Sequence, residues 1–173
     1  MSRPYSAALP IAHVVLRILV VLNWLMGAAI LALLVVVPNE QWIMSAFHLS
    51  PSPDASRLVM ALRAVAVLGL VAIPLNHVFF TRLLAIVETV RAGDPFIAAN
   101  AGRLQAIAWV LLALEILSLV IAAIGKAVSA SAHPVHLDAG FSTSGWLAVL
   151  LTFILARIFA EGARMREDLE GTV

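Results

Sequence analysis

Four long apolar segments separate the polar parts of this chain, and they constrain its fold more than any other feature. They cover about residues 11–37, 58–80, 104–125 and 145–161. A helix that crosses the hydrocarbon core of a bilayer needs about 20 mainly apolar residues. Helices also satisfy their own backbone hydrogen bonds, as lipid surroundings require. The sequence therefore predicts an all-α integral membrane four-helix bundle, forming a single membrane domain over residues 1–173.

The low charge content points the same way. Of the 173 residues, 62% are hydrophobic and 12% are charged, whereas soluble domains are about 25% charged. The formal net charge of +1 is not the strongly basic balance of a protein that binds nucleic acid directly. Because the chain has no cysteine, disulfides and thiol-based redox chemistry are excluded.

Polar and turn-forming residues set the ends of the segments. Pro38 closes the first segment, because proline cannot continue a helix, and this segment is too long for the core of a signal peptide. Residues 41–49 predict a short interfacial helix, and Pro74 predicts a tolerated kink in the second span. The fourth span meets Arg157 before its end. If Arg157 extends toward the headgroups, this helix reaches about Glu161.

Basic residues near the span ends predict the orientation. One side of the membrane would hold Arg3, Arg82, Arg91, Arg103, Arg164 and Arg166, and the other side Arg57 and Lys126. Since cytoplasmic loops are enriched in Lys and Arg, we expect both termini and residues 81–102 in the cytoplasm. The protein is then a multi-pass component of the cell (inner or plasma) membrane.

Residues 81–102 are predicted to form a short helical cytoplasmic hairpin. An apolar stripe at helical spacing comprises Leu83, Leu84, Ile86, Val87 and Val90. Gly93 is predicted to end the second helix, and Asp94 with Pro95 to start the next as N-cap and first helical residue. A tight connection between two spans and a surface that docks a partner both remain open interpretations.

The tail, residues 162–173, is predicted to continue the fourth helix until Gly171. Pairs at i+3 or i+4 join Glu161 to Arg164, Arg164 to Asp168 and Arg166 to Glu170. Each pair contributes about 0.2–0.5 kcal/mol. A solvated helix end is the ordinary interpretation, and a partner-binding surface on Met165 and Leu169 is the alternative.

Two segments carry a resemblance to a known family. The first is Leu84-Ala-Ile-Val-Glu-Thr-Val-Arg-Ala-Gly-Asp-Pro-Phe96, continuing to Asn100, Arg103 and Leu104. The second comprises Gly145-Trp146, Leu155-Ala-Arg-Ile-Phe-Ala-Glu-Gly162 and the closing Glu167-Asp-Leu-Glu-Gly-Thr-Val173. Both resemble the inner loop, fourth helix and tail of a bacterial four-helix membrane family called domain of unknown function 2975, and the similarity extends over essentially the whole chain.

The resemblance implies four spans and no known catalytic residue. Members of that family are often encoded beside small helix-turn-helix regulators. By association, this implies a membrane partner that restrains a cytosolic DNA-binding protein.

Ionisable residues inside the spans are the other candidates for function, because a charge at the bilayer centre costs about 2.5–3.5 kcal/mol. Glu115 is the deepest, near the middle of the third span. Arg157 at a similar depth, or Arg63 about one turn nearer the outside, could pair with it. Arg17 and His77 add polar groups toward the inner halves of the first two spans. A structural ion pair, a proton or ion relay and a neutral Glu115 are the alternatives.

Histidines give only weak signals for a cofactor or metal. His13 and His77 lie at comparable inner depths, but two histidines are no haem motif without facing geometry. In the outer loop, His133, His136 and Asp138 offer metal ligands without a helix to align them or a fourth ligand. We therefore expect no cofactor and no metal.

The leading hypothesis is a non-enzymatic regulatory or sensory component that binds a cytosolic partner. Its predicted contact residues are Glu88, Arg91, Asp94, Phe96, Arg103, Arg164, Asp168 and Leu169. The alternative is a small transporter or channel subunit that uses Glu115 with Arg63 or Arg157. An enzyme ranks third, because no spacing resembles a nucleophile with its base or a phosphate loop. Small residues at Gly27, Ala28 and Ala32 are compatible with packing inside one chain or in a homo-oligomer.

Overall fold

The computed structural model describes residues 8–36, 45, 53–129 and 140–170. Within them, four long helices follow one another along the chain: α1 (Ala8–Val36), α2 (Pro53–Arg91), α3 (Ala98–Ser129) and α4 (Thr143–Glu170). Each is long and apolar enough to cross a membrane. The prediction of an all-α chain with four candidate spans is confirmed for this part of the protein.

The helices present apolar side chains on their outer surface. Only 11% to 22% of the residues in the most apolar window of each helix are buried. Large side chains such as Leu25, Met26 and Val35 are more than half exposed. Water would solvate such a surface poorly, whereas the acyl chains of a bilayer match it. The exposed surface of the helices is therefore that of a multi-pass membrane protein.

The second helix is longer than a bilayer is thick. It contains 39 residues, which at 1.5 Å per residue gives about 58 Å, against about 30 Å of hydrocarbon. Pro74 lies inside it. The prediction that this helix continues beyond its apolar span is confirmed, and so is the prediction that α4 continues into the tail. Residues 171–173 lie outside the described part.

The end of α2 is closed by hydrogen bonds around Gly93. The N–H of Gly93 donates to the carbonyl of Val90 at 3.1 Å, and the N–H of Asp94 donates to the carbonyl of Thr89 at 3.0 Å. Gly93 has a φ of +86°, a left-handed conformation that glycine adopts without a Cβ penalty. These features define a Schellman motif. The predicted role of Gly93 is confirmed.

The predicted start of the next helix is wrong. Asp94 and Pro95 are not the N-cap and first residue of α3, because this helix begins at Ala98. The side-chain amide of Asn100 donates to the carbonyl of Pro95 at 2.8 Å, which holds the chain outside the helix at that point. The carboxylate of Asp94 contacts Arg166 instead. We call residues 92–97 the connector.

The chain divides into two compact units. The first contains Met1–Asn23, Leu75–Ala113 and Thr143–Val173. Its core consists of Ile86, Leu104, Ile107 and Ala156, with Phe79, Leu83, Val90, Leu111 and Phe159 packed against it. Three members of the predicted apolar stripe, Leu83, Ile86 and Val90, therefore pack inside the chain. They fix the end of α2 against α3 and α4.

The second unit contains Trp24–Pro74 and Leu114–Ser142. A Cβ atom added at Gly27 would lie 3.1 Å from two side-chain carbons of Ile73. The absence of a side chain thus allows α1 and α2 to approach closely, as small residues commonly do between membrane helices. Gly27 therefore contributes to packing within the chain, and a homo-oligomer stays a prediction.

Several predicted features lie outside the described residues. They are Arg3, Pro38, the outer-loop ligands His133, His136 and Asp138, the end of the tail at Gly171, and the interfacial helix of residues 41–49, of which Ser45 alone is described.

Candidate functional site

A buried asparagine organises the junction between α2 and α3. Asn100 is 0% exposed, and its amide donates to the hydroxyl of Thr89 at 2.7 Å and to the carbonyl of Pro95 at 2.8 Å. The hydroxyl of Thr89 in turn donates to the carbonyl of Ile86 at 2.8 Å. Because a buried polar group is costly unless it is satisfied, this set of bonds specifies one geometry for the connector.

Arg103 extends the same set of bonds. Its Nη1 donates to Oδ1 of Asn100 at 2.8 Å and to the carbonyl of Ala85 at 3.2 Å. Hydrogen bonds with a charged donor are stronger than neutral ones. The sequence predicts Arg103 as a contact residue for a partner. In the structure its side chain instead forms hydrogen bonds within the chain and holds α3 against α2.

The end of α4 is attached to the connector by two contacts. Arg166 forms a hydrogen-bonded ion pair with Asp94. Beside it, the ring of Phe96 lies 5.1 Å from the ring of Phe159. A Cβ at Gly162 would lie 3.1 Å from Cδ1 of Phe96, so the lack of a side chain there makes room for that ring. Asp94 and Phe96 thus contribute to the internal structure while remaining partly exposed.

The remaining predicted contact residues lie on the outside of this junction. They are Glu88 and Arg91 at the end of α2, and Arg164, Asp168 and Leu169 on α4, all of them exposed. We call these five residues the docking face. Leu169 is 72% exposed, and Arg164 lies 3.9 Å from Glu161, as the predicted i+3 pair. The face combines both signs of charge with an apolar side chain.

His13 of α1 reaches the edge of the docking face. Its Nδ1 lies 3.9 Å from Oε1 of Glu88, and their side chains are 14% and 53% exposed. This Nδ1 has no hydrogen-bond partner among the described residues. The separation is too long for a hydrogen bond.

The sequence profile of a family described as "Protein of unknown function (DUF2975)" matches residues 42–173. The chain belongs to this family. Neither the curated proteins nor the solved structures contain a match.

The DUF2975 match includes both segments on which the resemblance was based. It contains α2, α3 and α4 with the connector, and it leaves out α1, which ends at Val36. The similarity therefore covers less of the chain than the sequence suggested. Asn100, Arg103 and the whole docking face belong to the matched part.

Polar residues within the spans of this DUF2975 protein occupy varied surroundings. Oε2 of Glu115 is buried and has no hydrogen-bond partner among the described residues, so no arginine donates to this oxygen. Arg63 is half-buried in the second unit. In the first unit, Arg17 and Arg157 are exposed and His77 is half-buried. The carbonyl of His77 accepts a hydrogen bond from Thr81 at 2.8 Å.

Metal ligands do not converge in the described part of the chain. No group of three or more His, Asp or Glu side chains there could hold a metal ion.

Two structural features were not predicted from the sequence. They are the hydrogen bonds of Thr89 and the ion pair between Arg166 and Asp94. The sequence contained one signal for this junction. Asn100 follows Gly-Asp-Pro closely, and asparagine is common in turns and at the starts of helices.

Proposed function

We propose that this DUF2975 protein is a non-enzymatic regulatory or sensory membrane component that binds a cytosolic protein through its docking face. The observation that carries the proposal is the attachment of α4 to the connector by Arg166 and Asp94. It brings the end of α4 beside the connector, to which the end of α2 leads. Preorganised surfaces of this kind lose little conformational entropy on binding.

The composition of the docking face supports a protein partner. Exposed Leu169 and Met165 offer apolar contact area on α4. The exposed residues Glu88, Arg91, Arg164 and Asp168 add charges of both signs. Mixed charges around an apolar centre are typical of protein interfaces, whereas nucleic acid selects a surface of one sign. The family resemblance implies a helix-turn-helix regulator as that partner.

The orientation belongs to the same proposal. The junction between α2, α3 and the end of α4 carries Arg82, Arg91, Arg103, Arg164 and Arg166. Arginine near span ends marks the cytoplasmic side. We therefore assign this junction and both termini to the cytoplasm of a bacterial cell, with the helices in the inner membrane.

The test is purification from the native host in a mild detergent, with mass spectrometry of co-purifying proteins. We expect a specific cytosolic protein with the wild type, and its loss when residues 164–173 are deleted or when Arg91→Glu and Arg164→Glu are combined. The matched control is Arg57→Glu, the same change on the opposite predicted side. Retention of the same proteins by all variants would contradict the proposal.

A second candidate function rests on Glu115. A buried carboxylate oxygen without a hydrogen-bond partner inside a span is a feature of proton and ion pathways. A small transporter or channel subunit would use Glu115 together with Arg63, because Arg157, the other predicted partner, lies beside Gln105, ten residues before Glu115 in α3. Replacing Glu115 with Gln and measuring flux in proteoliposomes separates the two functions. Lost flux with normal membrane insertion would support the transport function, and unchanged flux would contradict it.

A further inference from the structure

A groove on the surface of the first unit lies between the start of α3 and the last part of α4. Its volume is about 220 Å³, and Ala101, Gly102, Gln105, Phe153, Arg157 and Ala160 line it. The small residues on both helices leave the space open. A Cβ atom added at Gly102 would meet nothing within 4 Å.

The position of the groove along the helices corresponds to a membrane boundary. Gln105 lies at the beginning of the third predicted span, and Arg157 lies near the end of the fourth. Because α3 and α4 follow opposite directions across a bilayer, these two ends meet the same interface. The groove therefore opens at headgroup level, with Phe153 one turn deeper on α4. The ring of Phe153 is held edge-on by Trp109, with centroids 5.3 Å apart.

The charge in the groove is uncompensated. No acidic residue lines it. Glu161, one turn further along α4, lies beside Arg164 at 3.9 Å. Within the described part of the chain, Arg157 has neither an ion-pair partner nor a hydrogen-bond acceptor. An exposed guanidinium at the lipid boundary thus has all its donors available, and its planar geometry matches the oxygens of a phosphate.

We propose that this groove binds an anionic phospholipid. The phosphodiester accepts hydrogen bonds from the guanidinium of Arg157 and the amide of Gln105, and one acyl chain lies against Phe153. A zwitterionic lipid is disfavoured, because its ammonium group would approach a cation that no carboxylate in the groove offsets. Basic pockets between membrane helices on the cytoplasmic side commonly bind acidic headgroups.

The experiment measures lipid binding by the purified full chain in neutral detergent. Native mass spectrometry titrates phosphatidylglycerol, with phosphatidylcholine and inorganic phosphate as separate probes. We expect phosphatidylglycerol to bind and the other two to bind weakly. Arg157→Gln should weaken phosphatidylglycerol binding about tenfold, as loss of a charge-assisted contact predicts. Arg82→Gln, which removes an exposed arginine from α2, is the matched control and should leave binding unchanged.

A second variant addresses the groove without touching its charge. Gly102→Leu fills open space, so it should fold normally and weaken phosphatidylglycerol binding by obstructing the headgroup beside Gln105 and Arg157. The proposal is overturned if Arg157→Gln and Gly102→Leu both bind as the wild type does. Equal binding of phosphatidylcholine would also overturn it. If inorganic phosphate competes at similar concentrations, the site is one for a free anion and not for a lipid.

Discussion

Arg166 and Asp94 lie 72 positions apart in the sequence, and their side chains form a direct hydrogen-bonded ion pair. The pair joins the end of α4 to the connector. Both side chains are more than 40% exposed, so water and salt weaken their attraction. The pair therefore positions the helix end more than it stabilises the protein.

A double-mutant cycle tests this conclusion. Asp94→Asn and Arg166→Gln should each change the free energy of unfolding little, with a coupling of about 0.2–1 kcal/mol that decreases in high salt. Both variants should nevertheless increase hydrogen exchange at the end of α4. Unchanged exchange in both would show that the pair does not hold this segment.

Asn100 should matter far more for stability. Asn100→Ala removes the hydrogen bonds of the buried amide to the Thr89 hydroxyl, the Pro95 carbonyl and the Arg103 guanidinium, which is expected to cost about 1–3 kcal/mol. Denaturant unfolding in detergent micelles measures the difference. Gln105→Ala, which changes an exposed polar residue five positions further on in α3, is the control and should change stability by less than about 0.5 kcal/mol.

Gly93 and Gly102 should respond oppositely to the same substitution. Gly93→Ala places a Cβ in a left-handed conformation and should destabilise the protein by about 1–2 kcal/mol. Gly102→Ala lies within α3 with open space around its Cβ and should stabilise it by about 0.5–1 kcal/mol. Thermal unfolding of the two variants in parallel provides the measurement. Equal effects would contradict the C-terminal motif of α2.

A branched aliphatic side chain at position 162 should destabilise the protein. Gly162→Val drives a methyl group into the ring of Phe96, which overpacks the contact between α4 and the connector and should cost about 1–3 kcal/mol. Limited proteolysis should then cut the connector faster. The companion Phe96→Ala in the Gly162→Val background should recover part of the loss, because it removes the clashing ring. A Gly162→Val protein as resistant as the wild type would refute the contact.

The sequence by itself determined the type and approximate extent of the four long helices in the described part of the chain. Its apolar segments exceed the length that a bilayer requires, and no soluble fold could bury them, so local composition decides the outcome. The role of Gly93 at the end of α2 could also be predicted from the sequence, because a helix that ends in a left-handed residue favours glycine there. The family membership also followed from contiguous residues around the connector and the tail.

Only the tertiary structure decided which polar side chains face outward and which brace the chain. Arg103 and Arg91 are both connector-proximal arginines in the sequence, yet Arg103 turns toward Asn100 and Ala85 while Arg91 is exposed. Asp94 was expected to cap α3 and instead binds Arg166. The reason is physical: a capping signal is local, whereas the partner of a carboxylate depends on which distant helix packs beside it. The spacing of residues in the sequence does not show which helix that is.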